Sequence, residues 1–410
     1  MSSEQQAILI LWQRVNTSLS AFYKLFKFFG SAQQALQATG TDWTDLGIHA
    51  KHIERHHHSS KQQDSQFIAS ILSQQQAGAY QLVFINDERY PAQLKQLFDP
   101  PPVLFTRGNV QRLSEPQIAI VGSRKPTSQA QKITFDMAQY LACAGYVITS
   151  GLAQGVDAQA HLGALSQPTE QAGRTIGVMG TGIDVCYPKQ HGALFERIIA
   201  EGGCLISELL PQTPANKHTF PRRNRIVAGL SLGTIVTEAA LQSGSLITAR
   251  LTSEQGKQVF AIPSHIDNKN AEGCLHLIRE GATLIYHPDQ VIMDLSSQIG
   301  SIIGSQFDNQ SKHDSNIDKI QQSKSKTSVL TNSKSTTAAT MTLETASTLP
   351  TTMSVAAHLQ PLWVHLTWEG QDLDALITKT QLDTPTLLSQ LMELELLGTI
   401  EQIGGRYKRL

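Results

Sequence analysis

Several chemistries are excluded by what this sequence does not contain. Its 410 residues hold no GxxxxGK(S/T) run, so no P-loop cradles a nucleoside triphosphate. The four cysteines, Cys143, Cys186, Cys204 and Cys274, form no CxxC pair, which argues against both a disulfide frame and a zinc site. They read as buried, reduced thiols of a cytoplasmic protein. No His, Cys and Asp cluster has metal-ligand spacing, and His56-His57-His58 after Arg55 reads as a solvated run in a polar loop. The longest N-terminal apolar run, Ala7 to Trp12, is too short to span a bilayer and lacks a basic leader, so neither an anchor nor a signal peptide is expected. A formal net charge of -1 excludes a globally basic nucleic-acid coat, so any polyanion site must be a local patch. Aromatic residues are only 6% of the chain, which limits base stacking to a few positions.

What is present divides into four pieces. Residues 1–80 carry helical spacing, as in Ala21 to Phe29 closed by Gly30, with short helices ending near Gly40 and Gly47, and read as a small all-α module. Residues 81–300 alternate apolar strands with helix-length segments. Seven strands are expected, at Ile118–Gly122, Tyr146–Gly151, Thr175–Gly182, Cys204–Glu208, Gly233–Thr237, Gln258–Pro263 and Ala282–Tyr286. Strands so separated need parallel crossovers, hence an α/β, doubly wound, mostly parallel three-layer sheet. Residues 301–352 shift to Ser, Thr, Gln, Asn and Lys and read as a flexible linker spanning about 40 Å. In residues 353–410, Leu373 to Ile377 and Thr384 to Leu397 read as two helices, with Asp383 or Thr384 as N-cap and Pro385 in the first turn. A hairpin around Gly404-Gly405 completes a winged helix. Its second helix offers Gln390, Glu393 and Glu395 and no Arg or Lys, which suits docking better than groove reading.

The chemistry concentrates at strand ends. Ile118 to Val121 is a fully buried strand, Gly122 permits its sharp exit, and Ser123, Arg124 and Lys125 lead into a helix opened by Pro126, Thr127 and Ser128. Free amides at a helix start, the dipole and a guanidinium together form a phosphate pocket. The second strand ends in Ser150-Gly151-Leu152-Ala153-Gln154-Gly155-Val156-Asp157, where open parallel sheets place ligands. Asp157 and His161 stand four apart on the next helix; with no nucleophile beside them they read as a cap and a partly buried core residue. Val178 to Asp184 imitates a GxG fingerprint through Gly180 and Gly182, but Val185 replaces the third glycine and a loop follows, so a dinucleotide cofactor is not expected. Tyr187, Pro188 and Lys189 sit on the same rim.

The densest basic cluster is His218 to Leu230. Arg222 and Arg225 are three apart and should share one helix face, with Arg223 and Asn224 beside them. Arginines at a helix start oppose its dipole, a cost that suggests an anion there. Gly244-Ser245 then opens another helix after the Gly233–Thr237 strand, giving a fourth polar turn on the rim.

Ile118 to Arg124, Ser150 to Asp157, Gly182 to Lys189, Arg223 to Leu230 and Ser243 to Gly256, in that order, resemble the signature blocks of the DNA-processing protein A family (DprA, also called Smf). The resemblance covers roughly Tyr80 to Pro288. The N-terminal piece is similar to a sterile-alpha-motif or helix-hairpin-helix module, and the C-terminal piece to the family's winged helix. The resemblance implies an extended Rossmann-like core that binds single-stranded DNA without catalysis, forms a homodimer and loads RecA recombinase during natural transformation. By that resemblance Gly122, Ser123, Arg124, Lys189, Asn224 and Arg225 carry phosphate contacts, and the rim pattern adds Gly244 and Ser245. Gly151, Gly155, Gly182, Arg222 and Arg223 support them, while Tyr187, Phe195 and Phe220 are the stacking candidates. Ser264-His265 and Asn270-Ala271-Glu272 depart from the family pattern, so the site is not extended to that loop. A rival reading is a nucleoside-monophosphate phosphoribohydrolase, from the faint likeness of Gly233-Thr234 and Glu238 to a GTxxE element; the PGG run expected before it is absent, Leu230-Ser231-Leu232 standing there.

Overall fold

The computed structural model describes residues 1–168 and 174–296, and of residues 358–409 all but 364, 367–370, 381, 397–398 and 404–405. Two compact units divide the chain, residues 1–324 and 325–410. The proposed linker, 301–352, and the Gly404-Gly405 turn lie outside the described residues.

The first unit opens with six helices: α1 (Ser3–Arg14), α2 (Leu19–Phe29), α3 (Ala32–Gln37), α4 (Gly40–Asp45), α5 (Ala50–His58) and α6 (Lys61–Gln76). Side-chain caps explain their starts. Ser2, Ser18, Ser31, Thr39 and Ser60 each accept a hydrogen bond from the third helical amide. Gly40 therefore begins a helix rather than ending one, because Thr39 before it is the better cap. The histidine run is likewise the last turn of α5 rather than a loop, with His56 stacked on Trp43 at 4.2 Å. These helices do not stand apart from the sheet. Trp12 and Phe22 belong to the same buried cluster as Leu82, Phe105 and Leu205, so helices and sheet share one core.

Among the described residues the sheet has nine strands: β1 (Gln81–Phe84), β2 (Val103–Gly108), β3 (Gln117–Val121), β4 (Val147–Ser150), β5 (Thr175–Val178), β6 (Cys204–Ser207), β7 (Gly233–Val236), β8 (Gln258–Ala261) and β9 (Thr283–Leu284). Their order is β1-β2-β6-β5-β4-β3-β7-β8-β9. All seven expected strands pair in parallel, while β1 and β2 add an antiparallel edge to β6 that periodicity does not announce. The crossovers are α8 (Ser128–Cys143), α9 (Val156–Leu165), α10 (Gly192–Ala200), α11 (Thr219–Leu230), α12 (Ser245–Glu254) and α13 (Glu272–Arg279); a one-turn α7 (Ala92–Lys95) follows β1, and residues 288–296 form α14. The chain winds outward from β3 to β6, then returns to lay β7 on the other side of β3. That reversal makes the β3/β7 boundary the topological switch point, where loops diverge to opposite faces and leave a crevice. Of the cysteines, Cys204 and Cys274 are buried as expected, but Cys143 is exposed and Cys186 half-buried; all four are free.

The second unit holds α15 (Gln360–Trp363), β10 (Gln371–Asp372), α16 (Leu373–Thr380), α17 (Thr384–Leu396), β11 (Ile400–Ile403) and β12 (Arg406–Arg409). Asp383 caps α17 by accepting from the Thr386 amide at 3.4 Å. β11 and β12 form the expected wing, and β10 extends it to three strands. Leu376, Leu387, Leu391, Leu394 and Ile400 fill its core.

Among the described residues no helix is long and apolar enough to cross a membrane.

Candidate nucleic-acid interface

A cleft of about 680 Å³ opens at the switch point. The four rim turns singled out in the sequence all reach it. Gly122 and Arg124 follow β3, Gly151 and Ala153 follow β4, Tyr187 follows β5, and Ser243, Gly244 and Ser245 follow β7. The far wall is the start of α11, with Phe220, Arg223 and Asn224, and the segment before it, with Asn216 and Lys217. Three cations, Arg124, Lys217 and Arg223, face one carboxylate, Asp157, among the lining residues.

Arg223 forms the floor. It is 6% exposed, its Nη1 donates to the Val178 carbonyl at 2.6 Å, and its Nε has no hydrogen-bond partner among the described residues. Burial pulls this guanidinium down to about 10, with Asp157 pushing back and Arg124 adding to the fall; it stays charged at neutral pH. Asp157 is not a helix cap in the simple sense. Its Oδ2 accepts from the amides of Gly151 (3.1 Å) and Ala153 (3.2 Å), which ties the β4 loop to α9 beside Arg223. Burial raises the Asp157 carboxyl above the usual range, and Arg223 opposes the rise. A side chain at Gly151 would run into the Arg223 guanidinium, so glycine there is what lets Arg223 lie flat against the loop. Gly155 has φ +79° and is packed against the Ser123 carbonyl and Pro126, a conformation L side chains rarely adopt. Asn224 donates to the Gly244 carbonyl at 3.4 Å and bridges α11 to the β7 loop. Tyr187, 48% exposed, and Phe220 form a tilted ring pair 5.2 Å apart at the mouth.

The helix starts contribute less than expected. The first turn of α8 is served by protein groups: buried Glu238 accepts from Thr127 N (3.1 Å) and Oγ1 (2.8 Å), and Thr127 Oγ1 in turn accepts from Ala130 N. Ser123 N donates to the Glu238 carbonyl at 2.6 Å, and Ser123 is not among the lining residues. At α12 the Ser245 amide is taken by Ser243 Oγ (3.3 Å), and at α9 the Val156 amide by Ser123 O (3.1 Å). One amide at each of these helix starts is thus taken by a protein group, and the side-chain cations add to what the remaining first-turn amides offer an anion.

The structure separates the basic cluster by helix face. Arg222 and Arg225 do share one face, but it is turned away from the cleft. Arg222 Nε lies 2.8 Å from Glu208 Oε1, Arg225 pairs with Glu208 Oε2, and Arg225 Nη1 donates to the Asp99 carbonyl at 2.8 Å. The anion at this helix start is therefore internal, and Arg225 is a structural ion-pair partner instead of a phosphate contact. Phe195 is 3% exposed inside the core, so it offers no stacking face. Lys189 is exposed on a short 3-10 turn outside the cleft lining, and Gly182 is buried with its amide on the Thr213 carbonyl at 2.9 Å. Asn216 and Lys217 were not singled out in the sequence. A lysine in a polar loop carries no periodic signal, and only folding brings this one to the cleft. His161 is fully buried: its Nδ1 lies 2.6 Å from Thr175 Oγ1, whose own proton goes to the Ile148 carbonyl. Nδ1 therefore carries the ring proton and Nε2 is bare and unpartnered.

A Rossmann-like protein with a cationic cleft at its switch point and a separate winged helix is the class these features define. A family model described as DNA recombination-mediator protein A matches residues 81–296, and one described as DprA winged helix domain matches residues 346–406. Protein Smf of Escherichia coli (strain K12) is 33% identical over 331 residues, covering 81% of this chain and 78% of that protein. DNA processing protein DprA of Streptococcus pneumoniae (strain R6) is 43% identical over 210 residues, covering 51% of this chain and 72% of that protein. The X-ray structure of DNA processing protein A from Streptococcus pneumoniae superposes with a TM-score of 0.60 at 33% identity, covering 70% of this chain and 97% of that one. The chain belongs to the DNA recombination-mediator protein A (DprA/Smf) family.

Proposed function

We propose that the cleft binds single-stranded DNA without sequence preference and without catalysis. The observation that carries this reading is the recessed Arg223, 6% exposed at the floor of a four-loop rim that brings Arg124 and Lys217 to the same cleft. A rigid duplex presents its phosphates on a convex surface and cannot reach that floor. An unpaired strand can insert one nucleotide at a time, its phosphates held by Arg124, Lys217 and Arg223, with Gly122, Asn224, Gly244 and Ser245 against its backbone and the Tyr187–Phe220 pair against a base. Glu238, the residue a phosphoribohydrolase would need, is spent capping α8, with its carboxylate on Thr127 and Asn268 Nδ2 (3.4 Å) rather than in the cleft. Family membership supports extending the proposal: a cytoplasmic homodimer protects the bound strand and passes it to RecA recombinase during natural transformation, with the winged helix as a docking module. Binding of labelled oligo(dT) and of a duplex across a salt series tests the core of it. Tighter binding of the single strand at every salt concentration is expected, and equal affinity for both would overturn the reading.

A further inference from the structure

The helix that walls the cleft is also gripped from behind. On one face of α11, Arg223 and Asn224 line the cleft; on the other, Arg222 and Arg225 converge on Glu208, which is 2% exposed at the end of β6. The Glu208 main-chain carbonyl accepts from Trp12 Nε1 of α1 at 2.9 Å, and the Arg222 guanidinium lies 5.5 Å from the Trp12 ring centre. Arg225 Nη1 reaches the Asp99 carbonyl, and the neighbouring Pro100 carbonyl accepts from Tyr23 of α2 at 2.6 Å. Two N-terminal helices and the end of a core strand thus close on consecutive turns of α11.

We infer that Glu208, backed by Trp12, is a positioning residue for the DNA cleft. The inference rests on the reading of the cleft as a single-strand site. A helix turns about 100° per residue, so a small roll of α11 that left Arg222 and Arg225 content elsewhere would swing Arg223 and Asn224 out of line with Arg124 and Gly244. Three arginines within one turn repel one another. A single buried carboxylate that takes two of them fixes the roll and leaves the third for the cleft. The N-terminal helices, which supply no residue to the cleft lining, then decide where the cleft cations point.

Charge bookkeeping and positioning predict opposite signs for Glu208→Gln, which makes the test sharp. The variant keeps the side chain's shape, deletes one negative charge near the rim and releases two guanidiniums. If charge alone governed, oligo(dT) would bind more tightly and with a steeper salt dependence. Positioning predicts binding weaker by about fivefold or more, with a salt slope unchanged or lower. Trp12→Phe, which removes the N–H donor together with part of the buried ring that faces Arg222, gives a loss in the same direction and serves if Glu208→Gln fails to fold. Both are measured well below their melting temperatures on the full chain. In parallel, the arginine Nε and asparagine Nδ2 signals are followed by NMR without DNA: Arg223 and Asn224 should shift in both variants. Equal or tighter binding by folded Glu208→Gln, or unmoved Arg223 and Asn224 signals, overturns the inference. Failure of the wild-type chain to bind oligo(dT) would instead overturn the cleft reading, leaving the NMR comparison to judge the clamp.

Discussion

Replacing Arg124 by alanine removes an exposed cation from the β3 turn without disturbing a buried pair. The cleft offers three cations, Arg124, Lys217 and Arg223. At a slope of about 0.7 per phosphate contact for a single strand, three contacts give a log–log slope near 2.1, so affinity falls about 18-fold between 50 and 200 mM salt. With two contacts left, the slope drops to about 1.4 and the same salt step costs only about 7-fold. Lys217→Ala should do the same, because its ammonium is an equivalent exposed charge. Arg225→Ala is the informative contrast. Its guanidinium is committed to Glu208 and Asp99, so its loss should leave the slope alone while costing about 3–5 kcal/mol of stability from a broken buried pair. Fluorescence anisotropy of a labelled oligo(dT) at four or five salt concentrations, with thermal melts of each variant, measures both quantities. A slope reduced by Arg225→Ala and untouched by Arg124→Ala would refute the division of the basic cluster into cleft-facing and core-facing residues.

Acid should destabilise the fold through His161. Burial, with His191 and Arg223 nearby, lowers its pKa from 6.5 to about 3, so between those values the unfolded chain binds a proton that the folded one refuses. Its contribution is complete above pH 6.5 and is lost as pH falls toward 3, by up to about 1.4 kcal/mol per pH unit; denaturant unfolding at pH 7 and 4.5 should show a smaller drop in His161→Gln than in the wild type, and an equal drop would discount the residue. Glu238→Ala strips the cap from Thr127 and should cost about 1–3 kcal/mol while leaving oligo(dT) affinity within about twofold; release of adenine from AMP by the wild type, abolished in this variant, would revive the enzyme reading. Gly155→Ala, forced into φ +79° and ψ -122° with its methyl against the Ser123 carbonyl, should destabilise by about 3 kcal/mol or more in chemical denaturation; an unchanged midpoint would mean the β4 loop relaxes freely.

Local rules made much of this protein legible. Runs such as Ile118 to Val121 can only be central strands, because apolar residues on both faces need cover on both sides. Glycines at strand ends mark the turns, and Ser or Thr before an amphipathic run marks a helix start, so the seven parallel strands, most helices and the four-turn rim follow from the chain alone. Strands β1 and β2 escaped because β1 is a four-residue edge paired on one flank only, and β2, starting directly after prolines 100 to 102 and buried between two partners, shows no alternation to detect.

Which arginine faces which anion is a different kind of question. Arg222, Arg223 and Arg225 are neighbours in sequence and chemically identical, and periodicity says only that two of them share a face. Whether that face meets DNA or Glu208 depends on where β6 ends and where α1 packs, contacts made across 17 and 196 residues of chain. Likewise the faint likeness of Glu238 to a catalytic carboxylate ends where the fold sets Thr127 against it, and Lys217, which carries no signal in the sequence, enters only because the loop carrying it lines the cleft. Short-range patterning fixes backbone conformation because its causes are local; the use of each charge is fixed only when distant segments pack, since burial and the nearest counter-charge decide whether it serves the core or remains open to a ligand.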